Sequence, residues 1–512
     1  MSSWWCEWAW VGGSRAAAGV VVRTEGGRVT DVTTGVVEPP AGATRLHGLT
    51  LPAFANAHSH AFHRALRGRT HALPDDRAAA VLAPTGAGSF WTWREQMYRA
   101  AERLDPDSYH RLARALYAEM VLAGYGVVGE FHYLHHAPGG RSYADPNAMG
   151  QALVAAAADA GIRLTVLDTC YLTAGTDGPP LSGVQQRFGD GDADAWASRA
   201  EALAASLPGG VVRAGAAVHS VRAVPPGAIG VVAAWAERHG APLHVHLSEQ
   251  PRENADCLAA HGRTPTALLG AHGALGPRTT AVHATHLTAD DVAALARSST
   301  RACVTRTTER DLADGAPQLG ELAAAGIGLA IGSDSNAVVD PFEEVRGLEL
   351  DERVRTLGRG HLSPATLLHA GTREGYASLG WSGAARPGSL AGTSPQGTEL
   401  AGAPSRGTEP VGAQRSEPAG APHPANPGPA PYGGIRAGDP ADLTVVSLDS
   451  VRMAGWTPGT LLDHAVFAAT SSDVTDTIVG GRHVVRDGVH RTVPDTAAEL
   501  RRAIAEVLDP GT

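Results

Sequence analysis

Four short strings of histidine and carboxylate are the residues of this chain best suited to do chemistry. The first is His58-Ser59-His60. In extended chain, residues i and i+2 point to one side, so both imidazoles can converge on a single ion. The second is His244-Val245-His246-Leu247-Ser248-Glu249, where His244 and His246 share a face and His246 lies nearer the strand end. Glu249 can reach over the same site as a proton shuttle. The third, Val282-His283-Ala284-Thr285-His286, puts His283 at a strand end and leaves His286 as a loop histidine. The fourth, Ser333-Asp334, offers a carboxylate suited to metal ligation or to service as a base. Each string also has a plainer reading. His244 or His246 can be a satisfied core histidine, Glu249 an ordinary helix-start carboxylate, and Asp334 or Ser333 a helix cap.

The elements around these strings have a common plan. Apolar strand candidates span Leu51–Ala57, Gly126–Phe131, Ile162–Asp168, Val211–Val218, Pro242–Leu247, Thr280–His283, Arg301–Thr305 and Ile327–Gly332. Amphipathic stretches such as Asp107–Ala123, Ala148–Ala160, Ala228–His239 and Ala289–Arg297 lie between them. Eight strands alternating with helices predict an α/β fold, a parallel (β/α)8 TIM-like barrel, with a doubly wound open sheet as the alternative. All four strings then fall at C-terminal strand ends, where a barrel carries its active site.

Residues 51–381 make up this expected barrel, and the strand-rich flanks 1–50 and 434–490 are expected to pair as a small β-sandwich domain. Residues 382–433 are rich in Gly, Pro and Ala, cannot bury enough apolar surface to offset their ordering entropy, and read as a disordered insertion. The end of the chain, 491–512, reads as a C-terminal helix over Thr496–Leu508.

Composition removes whole classes of function. All 42 basic residues are arginine. Without lysine there is no Schiff-base enzyme, no phosphate-binding loop of the GxxxxGK[ST] kind, and no pair of metals bridged by a carboxylated lysine. The net charge of −10, with no basic stretch to offset it, argues against a nucleic-acid partner. No apolar run approaches the roughly 18 residues of a membrane span. The four cysteines form no CxxC pair and the N-terminus shows no signal peptide, so a cytoplasmic protein is expected.

Taken in order, His58-x-His60, His246-x-x-Glu249, His283 and Ser333-Asp334 resemble the mononuclear members of the amidohydrolase superfamily, which are metal-dependent hydrolases. The resemblance implies a barrel flanked by a β-domain from both chain ends, and often a homodimer. It implies that His58, His60, His246 and Asp334 bind one divalent metal, most simply Zn2+, and that Glu249, His283 and Asp334 are catalytic. Longer strings narrow it. His58-Ser59-His60-Ala61-Phe62, Phe90-Trp91-Thr92-Trp93-Arg94-Glu95-Gln96-Met97-Tyr98 and Glu130-Phe131-His132-Tyr133-Leu134-His135-His136 are similar to the formimidoylglutamate deiminases of histidine degradation. So are Val218-His219-Ser220-Val221-Arg222, His246-Leu247-Ser248-Glu249-Gln250 and Val282-His283-Ala284-Thr285-His286-Leu287.

That branch implies hydrolytic deimination of N-formimino-L-glutamate to N-formyl-L-glutamate and ammonia, with Arg94, Tyr133, His219 and Arg222 lining the substrate pocket. Guanidinium forks suit a small-molecule dicarboxylate. Two positions depart from the pattern. His63 stands where some members have glutamine, still able to donate a hydrogen bond to the substrate but with a pH-dependent charge. Arg306 stands where a proline is usual, which puts the loop after the seventh strand in doubt. The rival readings are another superfamily deaminase or chlorohydrolase acting on a guanine- or triazine-like ring, and a non-catalytic zinc-binding scaffold.

Overall fold

A computed structural model describes residues 1–70, 90–176, 178–381 and 434–508. The expected insertion at 382–433 lies outside the described residues. The chain opens with strands β1 (Ser2–Ala9), β2 (Ala17–Glu25), β3 (Arg28–Thr33) and β4 (Thr44–Pro52). Eight further strands follow: β5 (Phe54–Ser59), β6 (Tyr125–His132), β7 (Arg163–Cys170), β8 (Val212–Val218), β9 (Leu243–Leu247), β10 (Thr279–His283), β11 (Arg301–Val304) and β12 (Leu329–Ile331). They pair in parallel in simple chain order, β5 to β12.

The ladder closes on itself at the candidate site. The Asp334 N–H donates to the His58 carbonyl at 2.9 Å, and the His60 N–H donates to the Asp334 carbonyl at 3.0 Å. Every residue of β5, β6 and β7 is buried. Parallel strands covered by helices have no wet face, which is why they read as continuous apolar runs. Helix starts follow local chemistry: the Asp105 side chain accepts the Ser108 N–H at 2.8 Å, with Pro106 opening the helix Pro106–Leu122.

The remaining strands are β13 (Leu443–Val446), β14 (Val474–Val479), β15 (Arg482–Arg486) and β16 (Val489–His490). Both chain ends join in one sheet ordered β16-β15-β14-β13-β4-β1-β2-β3. Between β1 and β15 there are four strand steps, about 19 Å in a flat sheet. Yet the rings of Trp4 and His483, one on each strand, are 5.4 Å apart. The sheet therefore curls over its own core of Trp4, Cys6, Val20, Val22, Leu443, Val445 and Ile478, which gives the layered packing expected of the flanks.

One expected strand is divided in the structure, while others shift by a residue or two at their ends. The apolar run Leu51–Ala57 is two strands, because Pro52 still pairs with Leu443 in the curled sheet. The Ala53 N–H donates to Asp442 on that side, and the Phe54 N–H to Gly124 on the barrel side. A continuous apolar run carries no mark of where it changes partners. The final helix, Thr496–Leu508, packs on Pro106–Leu122 through the ion pairs Arg111–Glu506 and Arg114–Glu499. No helix among the described residues is long and apolar enough to cross a membrane.

Candidate active site

The four strings meet at the C-terminal mouth of the barrel. His58, His60 and His246 bring their ring nitrogens within 4.8 Å of one another. The Nε2 atoms of His58 and His246 are 3.1 Å apart, and Asp334 Oδ1 lies 3.4 Å from the Nε2 of both His58 and His60. Tetrahedral zinc with bonds of 2.0–2.1 Å holds its ligand atoms about 3.3 Å apart. The spacing of this donor set therefore fits one ion of that size.

Hydrogen bonds behind the rings settle which nitrogen is available. His60 Nδ1 meets the Phe131 carbonyl at 3.0 Å, and His246 Nδ1 meets the His219 carbonyl at 2.9 Å. A carbonyl only accepts, so each Nδ1 carries the proton and each Nε2 presents a lone pair to the shared point. Burial, then mutual repulsion, keeps these imidazoles neutral: His58 and His246 are held well below the usual range, and His60 is pushed down to about 3. A metal ligand must be neutral imidazole, so this also fits. His244, on the same face as His246, instead bonds the Ser378 carbonyl at 3.0 Å and stays out of the donor set.

The loop after β12 reaches the donor set because Gly332 passes close to His58. A Cβ there would stand 2.8 Å from the His58 carbonyl oxygen, so only glycine fits. Beneath it, Asn56 Nδ2 donates to Ser333 Oγ at 2.6 Å, and Ser333 Oγ donates to Asn336 Oδ1 at 2.6 Å. Asn336 Nδ2 then bonds the His60 and Asp334 carbonyls at 3.0 and 3.1 Å. Asp334 does not cap a helix. That task falls to Asp340, which accepts the Phe342 N–H at 2.9 Å. Ser248, His283, Ala284, Asp334 and Asn336 all have positive φ, from 44° to 69°. Such backbone costs on the order of 1–3 kcal/mol per residue and concentrates at functional sites.

Glu249 and His283 face the donor set. His283 Nε2 is 3.8 Å from Glu249 Oε1 and 3.9 Å from Asp334 Oδ2. Behind it, His283 Nδ1 lies 3.4 Å from Glu309 Oε1. Burial opposes a charge on His283, but Glu249, the Glu309 hydrogen bond and Asp334 outweigh it and raise the imidazole to about 10. Burial raises Glu249 and Asp334 as well. Glu249 precedes the helix Pro251–His261 and turns into the site, while Glu253 of that helix accepts the Ser248 N–H at 3.0 Å. His286 is a loop residue bonded to the Asp314 carbonyl at 2.7 Å.

The residues expected on the substrate side line one cavity with His60, His246 and Asp334 of the donor set. Arg94, Tyr133, His219, Arg222, His63 and Trp93 all line it. Arg222 Nε donates to Glu253 at 3.1 Å and its Nη2 is 3.6 Å from Glu249. Tyr133 OH lies 2.9 Å from His63 Nε2. Tyr171 and Phe188, which the motifs did not single out, complete an aromatic side with their rings 5.5 Å apart.

Both departures acquire a physical account. His63 is buried, and burial together with His60 and His58 holds it well below its ordinary range, so it stays neutral and does not carry the pH-dependent charge expected of it. Its ring nitrogen also joins a second ligand-capable group with His60 and Asp334. Arg306 does not disturb the loop after β11. It is buried at the start of the helix Arg306–Asp311, bonds Asp351 at 2.6 Å, and pairs with Glu309. An arginine in place of proline thus braces the carboxylate that backs His283.

Comparison with known proteins agrees with this geometry. Residues 49–392 match the model of the amidohydrolase family. The chain belongs to that family of metal-dependent hydrolases, and it is an enzyme acting on C–N bonds other than peptide bonds. Formimidoylglutamate deiminase of Pseudomonas aeruginosa is 36% identical over 468 residues, which cover 91% of each chain. Among solved structures, an amidohydrolase from Brucella melitensis superposes with a TM-score of 0.81 at 27% identity, covering 99% of this chain and all of that one. An adenosine deaminase from Xanthomonas campestris with bound zinc shares the fold, with a TM-score of 0.73 at 21% identity over 98% of this chain and 96% of that one.

Proposed function

We propose that this enzyme hydrolyses N-formimino-L-glutamate to N-formyl-L-glutamate and ammonia, a step of histidine degradation. The observation that carries the reading is the shared cavity, which Arg94 and Arg222 line together with His60, His246 and Asp334 of the donor set. Two guanidiniums match two carboxylates, and a flat uncharged ring would need neither. The deiminase relative, alike over nearly the whole chain, supports the same substrate.

His58, His60, His246 and Asp334 would hold one divalent ion, zinc by the spacing and chemistry of the donors. When bound, that ion lowers the pKa of a water ligand toward neutrality. Arg94 and Arg222 anchor the substrate carboxylates, with Tyr133 and His219 as hydrogen-bond partners. Asp334 accepts a proton as water adds to the formimino carbon. Glu249 passes a proton to the departing nitrogen, so the C–N bond breaks and ammonia leaves. His283, held between Glu249, Glu309 and Asp334, donates a hydrogen bond to the developing oxyanion. The same proposal takes the enzyme as a cytoplasmic homodimer, in keeping with four buried cysteines that form no disulfide.

Zinc-loaded protein is expected to release ammonia from N-formimino-L-glutamate and not from guanine or a triazine. Absence of ammonia from the formimino substrate would overturn the proposal.

A further inference from the structure

Four arginines meet at the other end of the barrel, where turns of the curled sheet face the first residues of β7 and β8. Arg28, Arg163, Arg213 and Arg482 line one cavity of about 570 Å3 there, and no acidic residue among the described residues lines it. The guanidiniums of Arg213 and Arg163 lie over the same Trp381 ring, 4.4 and 5.0 Å from its centroid. Arg163 is neutralised by Asp442 through contacts of 2.7 and 3.2 Å. That carboxylate is fully used, since it also accepts the Tyr376 hydroxyl at 2.9 Å and the Gly480 N–H at 2.6 Å. Arg28 donates to the Gly438 carbonyl at 2.7 Å and lies near the Asp439 carboxylate, whose charge it favours. Among the described residues, neither Arg213 nor Arg482 has an ion-pair partner.

Cations gathered around a concavity repel one another, and the repulsion is relieved by an anion placed among them. Burial and the nearby Arg28 and Arg163 lower the affinity of Arg213 for its own proton, a sign of the same crowding. Arginine is also the side chain whose planar fork best matches phosphate and carboxylate oxygens. We propose that this cavity binds a small polyanion carrying phosphate or carboxylate groups. Arg213, Arg28 and Arg482 supply the charge, while Arg163 with Asp442 forms the fixed floor. From Arg163 to Cys170 the strand β7 climbs about 23 Å, so the cavity is separate from the catalytic mouth.

Calorimetric titration of the full-length, metal-loaded protein at low ionic strength tests this, with inorganic phosphate in one arm and tricarballylate in the other. Metal analysis before and after confirms that neither probe strips the ion. Saturable binding is expected in the unmodified protein, weakened on the order of tenfold or more in both Arg213→Ala and Arg482→Ala. Both variants should keep the basal rate of ammonia release. Arg482 starts an exposed turn strand, so its variant remains informative if Arg213→Ala folds poorly. A response to phosphate alone assigns a phosphoryl ligand, and a response to tricarballylate alone assigns a carboxylate one. No saturable binding of either, or equal affinity in all three proteins, overturns the proposal.

Discussion

At their C-terminal ends the barrel strands deliver histidines of depressed proton affinity whose ring nitrogens converge, with strained backbone at the neighbouring Ser248, His283 and Asp334. At their N-terminal ends β7 and β8 carry Arg163 and Arg213, and the buried charge on Arg163 is met by Asp442 through two contacts. The two ends handle buried polar groups in opposite ways. One aims neutral ring nitrogens and a carboxylate at a shared point. The other closes the Arg163–Asp442 pair fully and so welds the curled sheet to the barrel, at the junction where Ala53 also bonds Asp442. Substitutions at the first end should therefore cost rate, and at the second, stability.

The sharpest test is Glu249→Gln. It keeps the shape of the side chain but removes the proton carrier, so kcat should fall by about 10²- to 10⁴-fold while metal content and thermal midpoint stay unchanged. A fall in metal content instead would make Glu249 a ligand and redraw the site. At the opposite end, Asp442→Asn leaves Arg163 buried without its counter-charge and should cost about 3 kcal/mol of stability, read by chemical denaturation. Turnover per folded molecule should not change. A rate loss without a stability loss would break the contrast between the ends.

Next in size is Arg94→Met. Losing a charge-assisted bond to a substrate carboxylate should lower kcat/KM by about 2 kcal/mol, or roughly 30-fold, chiefly through KM. Steady-state kinetics with N-formimino-L-glutamate checks it, and an unchanged KM would favour the ring-substrate rival.

The smallest expected effect concerns Glu374, which meets Arg301 at 2.9 Å, at the start of β11, and His369 at 3.2 Å. Burial opposes its charge, but His369 and Arg301 prevail and bring it down to about 2. A carboxyl lowered in the folded state adds stability that is complete above its unfolded value near 4.5 and vanishes as pH falls toward 2. Partial exposure screens the pair, leaving about 1 kcal/mol. The thermal midpoints of the protein and Glu374→Gln should differ at pH 6, draw together below about pH 4.5 and converge at about pH 2.

Much of the catalytic end was legible because its signals are local. An i, i+2 pair such as His58 and His60, or His246 followed three residues on by Glu249, sets which side chains can face one point. Apolar runs then show that the point lies at strand ends. The supports were not legible. Asn56 and Ser333 are 277 residues apart, and neither has a neighbour that announces the bond between them. Arg306 looked like a disturbance of its loop until Asp351, on another helix, was seen to hold it. His63 looked pH-sensitive until its burial was known. The arginine cavity draws on positions 28, 163, 213 and 482, with no motif joining them.

The sequence by itself determined the kinds of atom available: imidazoles and carboxylates for an ion and protons, guanidiniums alone for charge recognition, and no lysine for a bridged metal pair or Schiff base. It also determined their order along a barrel, because hydrophobic periodicity and short-range spacing are properties of neighbouring residues. Tertiary structure alone decided how near those atoms come, which nitrogens keep their protons, which charges are paired and which are left facing a cavity. Burial and Coulomb energy depend on distances between segments far apart in the chain, and only the closed barrel and the curled sheet set those distances.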